Sequence, residues 1–456
     1  MNYIIASMII FLLSLLSIIL FTNRNVSQTI KNFLFANQSL PIVKSGLAIS
    51  SHWFWAIAIF VGPAVAYNWG LIGLLWFAIP NGISCLIVGW LASRVRKNYP
   101  DGFSLTAYIK ENFSNRISIL YQIEFTLISL AALLLAFTAI NKLWAFAGLS
   151  TVMTPFVASL IIGFITLAFT ATGGIRTSIF TGSIQTVLWV AFIAVALAIV
   201  APGIDLAQLG GKNMLTTVWN EKFLSTFAVA FGISILVGAS SHGMMWQKAF
   251  SMPKENIMPS FTLAGIIFTC MVIGLGMLSI FAFNAGLAVP SPDTAQLAMI
   301  QSALGIAGVV AFATILIGQT STVIDSSLNY ISSLITLEWI RSDKIIVSRA
   351  IMVAFMLVAW SISWAKLEIW TILMLMSAIR IVMFVPLVFH ILKQKLNESI
   401  VFYISIISVT ISLYFAWTAK SSTQPIYDMY AALTALFVPF IVYVVGSMLQ
   451  IKRIQK

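Results

Sequence analysis

The sequence predicts an all-α polytopic membrane protein, and three observations carry that prediction. Apolar runs of about 18 or more residues recur along the chain, each long enough to cross a bilayer as a helix. Only 8% of the residues are charged and 60% are hydrophobic, whereas a water-soluble domain carries about 25% charged residues. A chain this poor in charge cannot cover a surface that faces water, so lipid is its solvent. The 25 Lys and Arg residues lie almost entirely in the short gaps between runs. The net charge of +12 therefore reads as loops on the cytoplasmic side, and nucleic acid is excluded as a partner.

Thirteen runs qualify: 4–21, 45–69, 70–93, 117–147, 152–171, 180–202, 225–248, 258–287, 304–337, 344–365, 368–392, 401–417 and 427–449. The first, Met1–Phe21, has no basic leader and no small-residue cleavage signature, so it reads as a retained helix. The longest gaps, Thr22–Lys44, Ser93–Arg116 and Ala201–Phe223, are too short for a separate soluble domain. With the N-terminus outside, 19 basic residues fall on the cytoplasmic side. Five, Lys142, Lys212, Lys222, Lys366 and Lys420, fall on the outer side, and Arg380 lies within a helix. The alternation holds through all thirteen spans, which orients the chain in the inner (plasma) membrane with its C-terminus in the cytoplasm.

An odd number of spans suggests helices added to a symmetric core. Transporter folds often consist of inverted repeats with broken helices at corresponding positions. With the first helix set aside, spans 2–6 and 7–11 form two halves of five, followed by two appended helices. The expected divisions are 1–44, 45–202, 203–394 and 395–456. The opening helix of one half carries Ser50-Ser51-His52, and that of the other carries Ser240-Ser241-His242. Two of the three histidines in the chain thus occupy one tripeptide in matching helices. Gly62-Pro63 in the first helix, and Gly238-Ala239 with Gly243 in the second, are local breakers. Free carbonyls at such breaks coordinate cations where they line a cavity. Trp53, Phe54, Trp55 and Phe60 crowd the first helix, as pocket walls or as ordinary packing.

Glu124, Asp325 and Arg380 are the other ionisable groups set well inside apolar runs. Each is costly there unless paired or hydrated, so each is a functional candidate. Arg380 is expected to pair with Glu124 or Asp325. Asp325 follows Gly318, Gln319, Thr320, Ser321 and Thr322, and one helical turn separates it from Ser321. Hydroxyls and a carboxylate are hard oxygen donors suited to sodium; hydroxyls that back-bond to their own helix are the alternative. Cys85 and Cys270 read as small buried hydrophobes. With three histidines in the chain, a His-rich metal centre is excluded.

At these residues the chain resembles the sodium:solute symporter family over roughly 40–395. Ala171–Gln185, with Gly173-Gly174, looks like the family's Gly-Gly loop leading to a Thr-Asp-x-x-Gln helix start. Trp246-Gln247-Lys248 looks like its Trp-Gln-Arg motif, and Thr320–Leu334 like its Ser-Thr-x-Asp-Ser helix. Ser51–Ala56 with Ala64–Tyr67 looks most like the urea-permease branch. The resemblance implies a LeuT-like inverted five-plus-five fold with one N-terminal and two C-terminal extra helices. It implies sodium at the crossing of the first and eighth core helices, held by Ser51, Phe54, Gly318, Ser321, Thr322 and Asp325. A second register moves the hydroxyl pair to Thr322 and Val323, and Thr322 belongs to both. The family's aspartate at the start of the fifth core helix is Gly182 here, which leaves one coupling ion or shifts that duty to Asp325.

The sequence thus leads to sodium-coupled symport of a small polar organic solute, urea-like, amino acid or carboxylate. Solute is expected at His52, Trp53, Trp55, Ser241 and His242. Proton coupling on the same fold, or a solute sensor that moves nothing, are the alternatives. The expected partners are solute, sodium ion and lipid bilayer, with the chain a monomer or weak homo-oligomer. No covalent catalysis is implied.

Overall fold

The computed structural model describes residues 2–22, 29–100, 102, 104–149, 153–203, 220, 223–365, 369–392, 397–422 and 426–454. Arg24, Lys212, Lys222, Lys366, Lys393, Lys395 and Lys456, used above to orient the chain, lie outside the described residues, as does most of the 201–223 gap. The described residues form helices joined by short turns, with no strand among them.

After α1 (Asn2–Thr22) comes one short turn, α2 (Ile30–Phe35), whose N-cap Thr29 accepts the Asn32 N–H. The first broken helix begins with α3 (Ile42–Trp53), bends at Phe54, and continues through a π-helical turn (Ile57–Val61) into α4 (Gly62–Asn98). The break therefore lies at 54–55 and not at Gly62-Pro63. Pro63 follows a wider π-helical turn, in which the Gly62 N–H bonds the Ile57 carbonyl, and the helix runs on through it without a second break.

At Gly70 (φ 64°, ψ −152°) the chain doubles back in a region of φ/ψ space essentially open only to glycine. Gly73 consequently abuts Val65, although eight residues along a straight helix span about 12 Å. Gly174 (φ 58°, ψ −143°) does the same inside α7 (Pro155–Val200), which as one straight rod would reach about 69 Å. The loop expected over 172–179 thus contracts to one glycine.

The remaining helices are α5 (Leu105–Asn112), α6 (Asn115–Phe146), α8 (Ala230–Gly238), α9 (Gly243–Phe250), α10 (Lys254–Asn284), α11 (Ala295–Leu334), α12 (Ile345–Ser363), α13 (Ile369–Ile391), α14 (Glu398–Ser422) and α15 (Ile426–Ile454). α8 and α9 are the halves of the second broken helix, separated by a 3-10 turn (Ala239–Ser241) and the extended residue His242. α11 bends at Gly305, so 295–304 form a short helix between the expected spans 258–287 and 304–337. With the folds at Gly70, Gly174 and Gly305 taken into account, the described helices make thirteen passes, matching the expected spans within several residues.

The inner group of helices is α3, α4, α7, α10 and α11, with α6 packed on α11. α1 lies against α7 and α11, whereas α14 and α15 pack on each other and on α13. Apolar side chains such as Ile10, Val187, Val195, Ile266 and Trp417 point outward, as a chain solvated by lipid requires. Cys270 is among the exposed residues and is not buried as expected; Cys85 is buried.

One end gathers basic side chains onto backbone and side-chain amide oxygens. Arg176 donates to Asn32 Oδ1 (3.0 Å) and the Ala36 carbonyl (3.1 Å), Arg96 to Gln38 Oε1 (2.9 Å), and Arg349 to the Ala171 carbonyl (2.7 Å). These contacts hold Ala36, Asn37 and Gln38 in the left-handed region, at φ 50°, 51° and 57°. Lys142 pairs with Asp293 at the opposite end.

Candidate functional site

The two broken helices meet at their breaks. His52 sits in the last turn of α3, and His242 is the extended residue that opens α9. Their ring centroids are 6.2 Å apart. The His242 ring lies edge-on to both Trp53 and Trp55, at 5.1 Å from each. All four side chains are buried, none more than 4% exposed. Among the described residues, neither ring nitrogen of His242 has a hydrogen-bond partner, nor have His52 Nδ1 and Trp53 Nε1. Buried polar atoms in native proteins are normally satisfied, so four open ones around two indoles mark a place kept for something else. Ser241 is adjacent, its hydroxyl directed at the Gly238 carbonyl over a long 3.4 Å. The five expected solute residues are therefore brought together. Phe54 turns the other way, into Trp189 (5.3 Å) and Phe268 (6.1 Å), as packing.

The crossing of α3 with α11 is different. The Ser51 hydroxyl donates to Gln319 Oε1 (3.1 Å), and Gln319 Nε2 donates back to the Ser51 carbonyl (2.5 Å). That carbonyl also accepts the Phe54 N–H (3.1 Å). One turn earlier, Lys248 Nζ donates to the Ala48 carbonyl (3.1 Å) from a fully buried position. Lys248 was counted above among cytoplasmic charges; its stem instead folds inward from α9 onto α3. A Cβ on Gly182 would lie 3.2 Å from Ala48 Cα and 3.4 Å from Thr322 Cγ2, so α7 reaches this crossing at Gly182.

The other expected ion ligands are spread along α11. Ser321 and Thr322 hydroxyls donate to the Ile317 (2.9 Å) and Gly318 (3.2 Å) carbonyls. Gly318 packs on Gln185 and Phe11. Asp325 Oδ1 accepts from Asn329 Nδ2 (2.8 Å). A hard cation needs several oxygens not already held by donors. Here Lys248 and Gln319 donate to the Ala48 and Ser51 carbonyls, whereas the Ser321 and Thr322 hydroxyls, as donors, keep their oxygen lone pairs and Asp325 Oδ2 has no hydrogen-bond partner among the described residues. The hydroxyls back-bond, as the alternative reading allowed. No group of three His, Cys, Asp or Glu residues that could hold a metal occurs among the described residues.

Neither acid pairs with Arg380. Its Nε (2.7 Å) and Nη2 (2.5 Å) donate to the Ser234 hydroxyl. Both Glu124 oxygens are buried without a hydrogen-bond partner among the described residues. The Trp246-Gln247-Lys248 run works as a staple: Trp246 Nε1 donates to the Ser240 carbonyl (2.7 Å), and Gln247 Nε2 to the Leu34 carbonyl (3.0 Å). Sequence reasoning missed Gln319 and Lys248. The visible signal was a Lys and a Gln at the edges of runs already singled out.

Cavities flank the breaks at both ends. One, of about 480 Å³, is lined by Phe60, Asn68, Trp69 and the Lys142–Asp293 ion pair. The other, of about 270 Å³, is lined by Phe35, Tyr99, Ser104, Trp246, Tyr330 and Glu338. Glu338 accepts hydrogen bonds from Ser104 (2.8 Å), Gln122 (3.1 Å) and Thr106. Tyr99 donates to Glu111 (2.8 Å), and burial pushes its phenol up to about 12.

No protein-family model matches the chain, and no curated protein matches it in sequence. Solved structures do match. The substrate-bound, outward-open state of a Na+-coupled sialic acid symporter superposes with a TM-score of 0.73 at 16% identity, covering 97% of this chain and 98% of that one. Mhp1, a nucleobase-cation-symport-1 family transporter in a closed conformation with bromovinylhydantoin bound, gives 0.63 at 13% identity over 92% and 94%. MhsT in complex with L-phenylalanine gives 0.50 at 15% identity over 90% and 99%. At these identities the likeness is one of fold: the LeuT-like arrangement expected from the sequence, appended helices included, runs the length of the chain.

Proposed function

We propose that this chain is a secondary active transporter that moves a small polar organic solute by alternating access. The observation that carries this is the meeting of two broken helices, with open His52, Trp53 and His242 nitrogens buried between cavities at opposite ends. A solute held at the breaks is shielded from both sides. Rocking of the halves 45–202 and 203–394 against each other would expose it to one side at a time. The Lys142–Asp293 pair and the Glu338 cluster would close the two ends in turn. In this reading the Lys142 end faces outward, the basic end faces the cytoplasm, and the membrane is the inner (plasma) membrane.

Two of the solved structures named above, the sialic acid symporter and Mhp1, are cation-coupled by their descriptions, which supports coupling to a cation gradient. Sodium is the ion that the sequence resemblance implies, with Thr322 and Asp325 its central ligands. A second reading drops sodium and leaves the proton gradient as the drive. The Lys248 Nζ on the Ala48 carbonyl favours it, because a nitrogen already takes one of the oxygens freed near the break.

Uptake into proteoliposomes tests both readings, with urea, proline, short carboxylates, sugars and polyamines offered under an imposed sodium gradient, proton gradient or neither. One charge moved across 100 mV is worth about 2.3 kcal/mol, or roughly fiftyfold accumulation. Accumulation above the bath under one gradient is expected, and mere equilibration of every solute would overturn active transport. If sodium drives uptake, Thr322→Ala and Asp325→Asn abolish the sodium dependence. Full uptake in sodium-free buffer assigns the second reading.

A further inference from the structure

Arg380 is 2% exposed on α13. The only ion pair among the described residues is Lys142–Asp293, at one end of the molecule. Arg380 thus has two serine hydroxyls for company, Ser234 and, at 3.4 Å, Ser377. A hydroxyl dipole does not balance a buried cation, and a buried charge without a counter-charge is costly by several kcal/mol. Proteins retain such a charge where function supplies the partner.

The geometry shows where that partner would sit. Arg380 Nη1 has no hydrogen-bond partner among the described residues, and it lies along the backbone of Gly238. A Cβ there would be 3.0 Å from Nη1 and 3.3 Å from Trp53 Cη2. The guanidinium and the Trp53 indole therefore flank the same residue, four before His242. The open Trp53 Nε1 and the one N–H of a neutral His242 ring stand as donors beside one unbalanced positive charge. Trp53 and Trp55, 6.3 Å apart and nearly parallel, supply apolar walls.

We propose that the solute is an organic carboxylate. Its carboxylate group pairs with Arg380 through the free face of the guanidinium and accepts hydrogen bonds from Trp53 Nε1 and His242, while its body lies against Trp53 and Trp55. The free Nη1 can give one carboxylate oxygen a charge-assisted hydrogen bond, a strong one. With only Nη1 unengaged, the site has too few donors to satisfy a tetrahedral oxyanion, which separates it from a phosphate site. The proposal rests on the solute site described under Proposed function and adds the charge and class of the ligand.

The test uses the purified full chain in detergent. Thermal unfolding is followed with three acid–amide pairs, benzoate and benzamide, pyruvate and pyruvamide, proline and prolinamide, and with inorganic phosphate. At least one acid is expected to stabilise the protein and to bind at least tenfold more tightly than its amide. Arg380→Met should erase that preference, and Arg380→Lys should keep part of it. The inference is overturned if no acid outbinds its amide, if phosphate outbinds every acid, or if folded Arg380→Met keeps the wild-type preference. The wild-type comparison stands even where a variant fails to fold. Acid binding without uptake into proteoliposomes would keep this inference and remove the transport reading. Gradient-driven uptake of neutral solutes with no acid preference would do the reverse.

Discussion

The break in the first core helix and the break in the second stand a few ångströms apart and differ in how their backbone is held, although each leaves side-chain nitrogens open, His52 Nδ1 and Trp53 Nε1 at the first and both of His242 at the second. At the first, neighbouring side chains satisfy the freed groups: Gln319 bonds Ser51 twice, and Lys248 caps the Ala48 carbonyl. At the second, the backbone is satisfied by its own staple from Trp246 and by Ser84, whose hydroxyl accepts the Ala239 N–H (3.0 Å). Yet the His242 ring is left open on both nitrogens, next to a guanidinium with no acid. Satisfied buried groups specify one packing, whereas unsatisfied ones cost stability and persist where a ligand completes them. In the proposed reading the difference separates a joint, Ser51 with Gln319 and Lys248, from the open His52, Trp53 and His242 nitrogens of the solute site, although both breaks carry the same Ser-Ser-His tripeptide.

Replacing Gln319 by Leu should break this contrast most strongly. The change leaves the Ser51 hydroxyl and carbonyl buried without their partner, at a cost of about 2–4 kcal/mol. A fall in thermal midpoint of several degrees in detergent is expected, with solute affinity changed only as far as the fold loosens. A Gln319→Leu protein as stable as the parent would mean that the first break is not a joint.

His242→Phe should do the opposite. The ring keeps its size and loses two unsatisfied nitrogens, so stability should be unchanged or raised by up to about 1 kcal/mol. Solute binding should weaken at least tenfold. If this variant unfolds as readily as Gln319→Leu, the two breaks are alike and His242 is structural.

How much of this was legible in the sequence follows from the range of each interaction. The thirteen passes were readable because bilayer thickness sets a length that each apolar run meets by itself. The grouping of His52, Trp53, Trp55 and His242 was readable because a rare residue recurred in two helices that each carry a break. The position of the first break was misplaced, since a wider π-helical turn carries the helix through Gly62-Pro63 without a break. Lys248 was misread because charge counting treats any lysine at a helix end as solvated, whereas its four-carbon stem reaches inward to Ala48. That Arg380 meets Ser234 and not Glu124 or Asp325 depends on how α13 packs against α8. No local pattern encodes that choice.

Ser241 offers the finest division between joint and site. The sequence places it with the solute residues, by analogy with Ser51. In the fold its hydroxyl reaches the Gly238 carbonyl only at 3.4 Å, a distance at which a hydrogen bond contributes little. Ser51, in contrast, is held from both its hydroxyl and its carbonyl. If Ser241 belongs to neither role, Ser241→Ala should shift stability by less than about 0.5 kcal/mol and leave uptake within about twofold of the parent, since 0.4 kcal/mol is a factor of two. If uptake instead falls tenfold at unchanged stability, the hydroxyl turns from Gly238 to the solute when the site is filled. The boundary of the site then moves one residue back from His242 into the 3-10 turn.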